Sequence, residues 1–240
     1  MSALVGFVGS RSLAPEWRPL VYSVVRGLCR AGRGVAVGDC RGADEYALEA
    51  AQAGASFGEL FSVADEAGRG GWAGSLPVEL LTPPPRAIAW QVHWSAGGTC
   101  ACAACCKVPG ALGCPSLRGR LLKRTLALVR AVAHSSQIGD GAGLVAFLNG
   151  SSSPSSGSLQ ACRMAASRGL PVTAYRCSSD RLELVPLGDG NWVALPSMGG
   201  ALAFRWHPIP ATALPFDREE EERGEYPCDY EAIPGQEEKT

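Results

Sequence analysis

Apolar positions along the first sixty residues switch repeatedly between a strand-like and a helix-like spacing. Ala3–Val8 is a short apolar run closed by Gly9-Ser10-Arg11, the form of a buried strand that meets a loop. Trp17, Leu20, Val21, Val24, Val25 and Leu28 then recur three and four residues apart, which predicts an amphipathic helix. Pro19 suits its first turn and Gly32 the position just past its end. Gly34–Val37 reads as a second strand, broken at Gly38-Asp39-Cys40-Arg41-Gly42. Ala43, Tyr46, Ala47, Ala50 and Ala51 form another helical stripe closed by Gly54, and Phe57–Val63 reads as a third strand.

Periodicity is lost over residues 64–116, apart from an alternating run at Ile88, Trp90, Val92 and Trp94. It returns in a basic helix at about 117–134, with Leu121, Leu122, Leu126, Val129 and Val132 on one side. A strand at Gly143–Leu148, a Ser-rich loop, a short helix through Leu159, Cys162, Ala165 and Ala166, and a strand at Pro171–Arg176 follow. Residues 181–206 read as a three-stranded meander turning at Gly188-Asp189-Gly190 and Gly199-Gly200. Strand–helix alternation of this kind predicts an α/β fold: a Rossmann-like, mostly parallel sheet with helices on both faces, plus the C-terminal β-meander. The expected division is a domain at 1–180 with an insertion at about 64–116, the meander extension at 181–216, and a tail at 217–240.

Charge sharpens that division. The chain has 23 acids and 22 bases, but ten of the acids and only three of the bases lie in residues 217–240. An acidic tail without apolar periodicity is expected to be disordered, and the body it leaves is net positive, which suits an anionic partner. No apolar stretch is long enough to span a membrane. The first residues, MSALVGFVGSR, lack the basic start of a secretion signal, and the ten cysteines suit a reducing compartment, so a cytoplasmic protein is expected.

Candidate chemistry lies in three loops of one form, an apolar strand followed by small residues and a helix: Gly9-Ser10-Arg11, Gly38–Gly42 and Gly150–Ser158. In a parallel sheet such loops gather at the carboxyl ends of the strands. Glycines there let backbone N–H groups approach a phosphate, helix starts favour negative charge, and Arg11 and Arg41 can add bidentate contacts. Tight turns also need glycine for their own sake. Neither a Walker A sequence nor GxGxxG occurs, which leaves a P-loop NTPase or a standard NAD dehydrogenase unsupported.

The order LVGFVGSRSL, VAVGDCRGADEYALEAA, GLVAFLNGSSSPSSGSLQACRMAASRGLPVTAY resembles the SLOG superfamily, the Rossmann-like group of DprA, LOG and YspA-like proteins, and within it the small YspA-like branch most. The resemblance covers about residues 3–63 and 117–176. It implies nucleotide-ligand contacts at Gly9, Ser10, Arg11, Gly42, Ala43, Asp44, Gly157 and Ser158. Ala161 stands where LOG-type hydrolases carry a Glu, so binding or sensing of a nucleotide-like small molecule is expected rather than strong catalysis. Asp44 is the nearest acid, and its place at a helix start suits a cap. A nucleotide N-glycosidic or phosphate hydrolase is the first alternative. The second is a scaffold or single-stranded nucleic-acid-binding subunit of a larger assembly, with a homo-oligomer also open.

Two further features carry expectations. Cys100, Cys102, Cys105 and Cys114 crowd into fifteen residues behind His93 and can close a tetrahedral zinc site, the alternative being reduced thiols in a loop. A zinc site would show as about one zinc per chain in elemental analysis, with thiols that resist titration. The basic stretch Lys107, Arg118, Arg120, Lys123 and Arg124 reads as a solvated helix face.

Overall fold

The computed structural model describes residues 3–55, 57–63, 74–81, 90–94, 117–149, 156–178 and 184–209. The expected zinc ligands, the start of the Ser-rich loop and the acidic tail lie outside these residues. The described strands are β1 (Leu4–Gly9), β2 (Gly34–Gly38), β3 (Gly58–Ser62), β4 (Trp90–Trp94), β5 (Gly143–Leu148), β6 (Val172–Arg176), β7 (Gly190–Met198) and β8 (Ala201–Pro208). The helices are α1 (Arg18–Arg30), α2 (Ala43–Gln52), the single turn α3 (Val78–Leu81), α4 (Leu117–Ser136) and α5 (Gly157–Ser167).

These strands form one eight-stranded sheet in the order β4-β3-β2-β1-β5-β6-β8-β7. From β4 to β6 every pairing is parallel, and β8 and β7 join antiparallel at the β6 edge. The Rossmann-like architecture and its antiparallel extension therefore stand as expected. The alternating run at 90–94 becomes β4, in register with β3 from Gly58 opposite Trp90 to Ser62 opposite Trp94. The described residues 184–187 are irregular, and the antiparallel meander is built from β6, β8 and β7, with β7 and β8 turning at Gly199-Gly200.

Two apolar layers sandwich the sheet. On one face Val5, Phe7, Val35, Val37 and Leu60 pack against Leu20, Val21, Val24 and Val25 of α1 and the alanines of α2. On the other, Leu4, Val8, Ala36, Phe61 and Ala146 pack against Leu128, Val129 and Val132 of α4 and Leu159, Cys162 and Ala165 of α5. Alanines let α2 and α5 lie close to the sheet, and burial of this area is the main term holding the fold together.

The two layers follow from chain direction. From β1 the chain steps through α1, β2, α2 and β3 toward one edge; α4 then carries it back, and β5, α5 and β6 build toward the other. Strand order reverses between β1 and β5. Loops leaving those neighbouring strands part toward opposite faces, the topological position at which open α/β sheets form a ligand crevice.

Candidate functional site

The β1 loop and the start of α5 meet at that crevice. Ser10 N–H donates to the Phe147 carbonyl at 2.8 Å, and the Ser158 hydroxyl donates to the Gly9 carbonyl at 2.7 Å. Asn149 donates to the Ser12 hydroxyl at 3.0 Å, closing the outer side. The Ser156 hydroxyl accepts from Leu159 N–H at 3.3 Å and caps α5, whose first helical residues are Gly157 and Ser158. Arg11 and Gly157 are exposed, and among the described residues a Cβ built at Gly157 meets no atom within 4 Å.

The loop after β2 packs behind the β1 loop. Ala43 N–H donates to the Ser10 carbonyl at 3.2 Å, and Gly42 N–H donates to the Glu45 carboxylate at 3.3 Å. Gly42 has φ +81°, and a Cβ there would lie 2.6 Å from both the Ser10 and the Arg11 carbonyl oxygens. Gly9 is equally committed, because a Cβ would lie 2.6 Å from the Phe147 carbonyl oxygen. Both glycines thus answer to the packing of one loop on another. Arg41 is exposed beside them, with its N–H on the Gly74 carbonyl at 3.0 Å.

The nine candidate residues therefore divide. Arg11, Arg41 and Gly157 are exposed, Gly9, Ser10 and Ser158 partly so, while Gly42, Ala43 and Asp44 are buried and support the rim from behind. Asp44 caps no N–H of its own helix. Its carboxylate turns inward, accepts from Cys40 N–H at 3.4 Å, and lies 3.7 Å from the Arg124 guanidinium.

Arg124 is the residue that the sequence misplaces. Instead of lying on a solvated face it is buried, 2.5 Å from Asp39, which is fully enclosed and also accepts from the Ser62 hydroxyl at 2.8 Å and Val63 N–H at 2.9 Å. Its Nη1 also reaches Cys40 Sγ at 3.2 Å, and among the described residues its buried Nε finds no acceptor. Gly38 leaves room for this cluster, since a Cβ there would come within 2.8 Å of the guanidinium carbon. Position 124 precedes the buried Leu128 and Val132 by four and eight residues, and that continuation of the apolar stripe was the available signal.

Burial raises the Asp44 carboxyl to about 6; Arg124 pulls it back, Asp39 pushes it further, and the charge of Arg11 lowers it slightly. Burial works against the Arg124 charge, yet the Asp39 and Asp44 carboxylates around it hold its proton more firmly than water does. Burial pushes the Cys40 thiol to about 11, so it stays protonated. Since the folded value of Asp44 exceeds its ordinary 3.8, its ionisation opposes folding: its stabilising contribution is complete below 3.8 and is lost as pH rises through about 6. Asp44→Asn should gain about 1–3 kcal/mol on wild type between acidic and mildly alkaline pH, as read by denaturant unfolding.

His93 lies in the core of β3 and β4. It is 1% exposed, stacked on Phe61 at 4.4 Å between ring centroids, with Nε2 3.1 Å from Glu59. Among the described residues no three metal-ligating side chains converge, and no helix is long and apolar enough to cross a membrane.

No protein-family model matches the chain, and no curated protein does. Solved structures do, among them two of DNA processing protein A. DNA processing protein A from Streptococcus pneumoniae matches at 18% identity and a TM-score of 0.45, over 72% of this chain and 50% of that one. The same protein from Helicobacter pylori, described for its single-stranded DNA binding mode, matches at 14% identity and a TM-score of 0.47, over 71% and 63%. The chain thus spans between half and two thirds of the length of either.

Proposed function

We propose that the crevice between β1 and β5 binds the phosphate of a nucleotide or nucleotide-derived ligand. The carrying observation is the reversal of strand order at β1/β5, with the exposed Arg11 on one lip and the capped, open start of α5 on the other. An anion there would meet first-turn N–H groups, the positive end of the α5 dipole and a guanidinium. Binding fits this arrangement better than hydrolysis, because Asp39 and Asp44 are buried against Arg124 and Ala161 is on the buried face of α5.

Calorimetric titration with nucleoside mono- and diphosphates and a short single-stranded oligonucleotide tests the reading. Arg11→Ala should weaken binding by about 1.5–3 kcal/mol, the worth of a charge-assisted hydrogen bond. Gly157→Val should abolish it with unfolding unchanged, since the side chain enters open space on the protein and occupies only the ligand's approach. A steep salt dependence confined to the oligonucleotide would identify a strand rather than a mononucleotide as the occupant. Absence of binding at millimolar concentration, or an Arg11→Ala protein that binds as wild type does, would leave Arg11 as a local counter-charge to Asp44 and the crevice as scaffold.

A further inference from the structure

We propose that anion binding at the β1/β5 crevice is coupled to uptake of a proton by the buried Asp39–Asp44 pair behind it. The inference rests on the phosphate-site reading and adds its regulation.

Two carboxylates face a single guanidinium, so the enclosed cluster carries one uncompensated negative charge when both are ionised. The partners are divided unequally. Asp39 takes the short Arg124 contact at 2.5 Å, the Ser62 hydroxyl and Val63 N–H; Asp44 keeps a 3.4 Å bond from Cys40 N–H and Arg124 at 3.7 Å. Asp44 is therefore the member that takes the proton. The groups facing it are Arg124 from α4, Asp39 and the neutral Cys40 thiol from the end of β2, and the Arg11 charge from the β1 loop. Glu45, next to it on α2, turns its carboxylate to Gly42 N–H.

Arg11 links the two sites. In the free protein its charge helps to keep Asp44 ionised. A phosphate that engages Arg11 cancels that help and brings further negative charge toward the cluster. For charges on the order of 10 Å apart in a partly buried setting, this strengthens proton binding by roughly tenfold. The free carboxyl already titrates at about 6, so the bound form takes up protons between that pH and the region above it. By reciprocity, binding tightens as pH falls through this window.

The test is calorimetry with adenosine 5′-monophosphate at about pH 6.5, in buffers of different ionisation enthalpy, on wild type and Asp44→Asn. The probe's own phosphate titrates near this pH, and the variant subtracts that contribution. The expected result is an extra uptake of about half a proton per ligand in wild type, absent from Asp44→Asn and absent from both near pH 8.5. As a check needing no variant, the 13C resonance of the wild-type Asp44 carboxyl should titrate at a higher pH when the probe is saturating. Binding with equal proton uptake in both proteins, or an unmoved carboxyl titration, overturns the coupling and leaves the phosphate site standing. No binding of any nucleotide removes the site and the coupling together.

Discussion

Arg124→Met should destabilise the protein by about 3–5 kcal/mol, because it leaves Asp39 and Asp44 enclosed without the cation that compensates them. Methionine fills much of the stem's volume, so a cavity accounts for little of the loss. The charge origin gives the effect a signature. Without the guanidinium both carboxyls favour protonation, and the penalty should be smallest in acid and grow as pH rises toward 8. Denaturant unfolding of wild type and variant at several pH values measures it. A penalty independent of pH would mean that Arg124 contributes through packing. Asp44→Asn in the Arg124→Met background should recover part of the loss, since one of the two orphaned charges is gone.

The cluster also accounts for what the sequence conveyed and what it did not. Strands β1, β2, β3, β5 and β6 and helices α1, α2, α4 and α5 announce themselves because each pairs a regular apolar period with a glycine or proline at its end. The candidate loops were legible for the same reason, since small residues after a strand identify a loop at its carboxyl end; the reversal of order at β1/β5 that makes two of them neighbours is a matter of strand pairing and has no local signal. Long-range electrostatics has no comparable local signal. Asp39 and Arg124 are 85 positions apart, and nothing near either one names the other. Arg124 also sits among Arg120, Lys123 and other bases, so composition pointed to solvent while the spacing from Leu128 and Val132 pointed inward. Strand β4 is a milder case. Its alternation at Trp90, Val92 and Trp94 was visible, but its place depends on pairing with β3. In the meander, turn glycines at 188–190 suggested a hairpin, whereas the described residues 184–187 before them are irregular; the Trp192 indole N–H instead donates to the Val185 carbonyl at 3.0 Å.

Gly42→Ala should destabilise the fold by about 2–4 kcal/mol, in contrast to Gly157→Val, which should cost almost nothing. Both glycines stand in the same resemblance as ligand contacts, yet their surroundings differ. At Gly42 the backbone has φ +81° and ψ −121°, a conformation that L side chains rarely adopt and whose strain costs about 1–3 kcal/mol. The added methyl carbon would also lie 2.6 Å from two backbone carbonyl oxygens, those of Ser10 and Arg11. Backbone cannot swing aside as a flexible side chain can, so the β1 loop must shift, which adds about 1 kcal/mol or more. That shift pulls on the bond from Ala43 N–H to the Ser10 carbonyl and carries Arg11 with it. Gly42→Ala should therefore lose stability and binding together, and a stabilising solute that restores the fold should leave the binding defect in place. Thermal unfolding and nucleotide titration on the two glycine variants measure this directly. Equal stability of the two proteins would mean that the β1 and β2 loops are not packed against each other as described, and the reading of Gly42 as a structural glycine would fall.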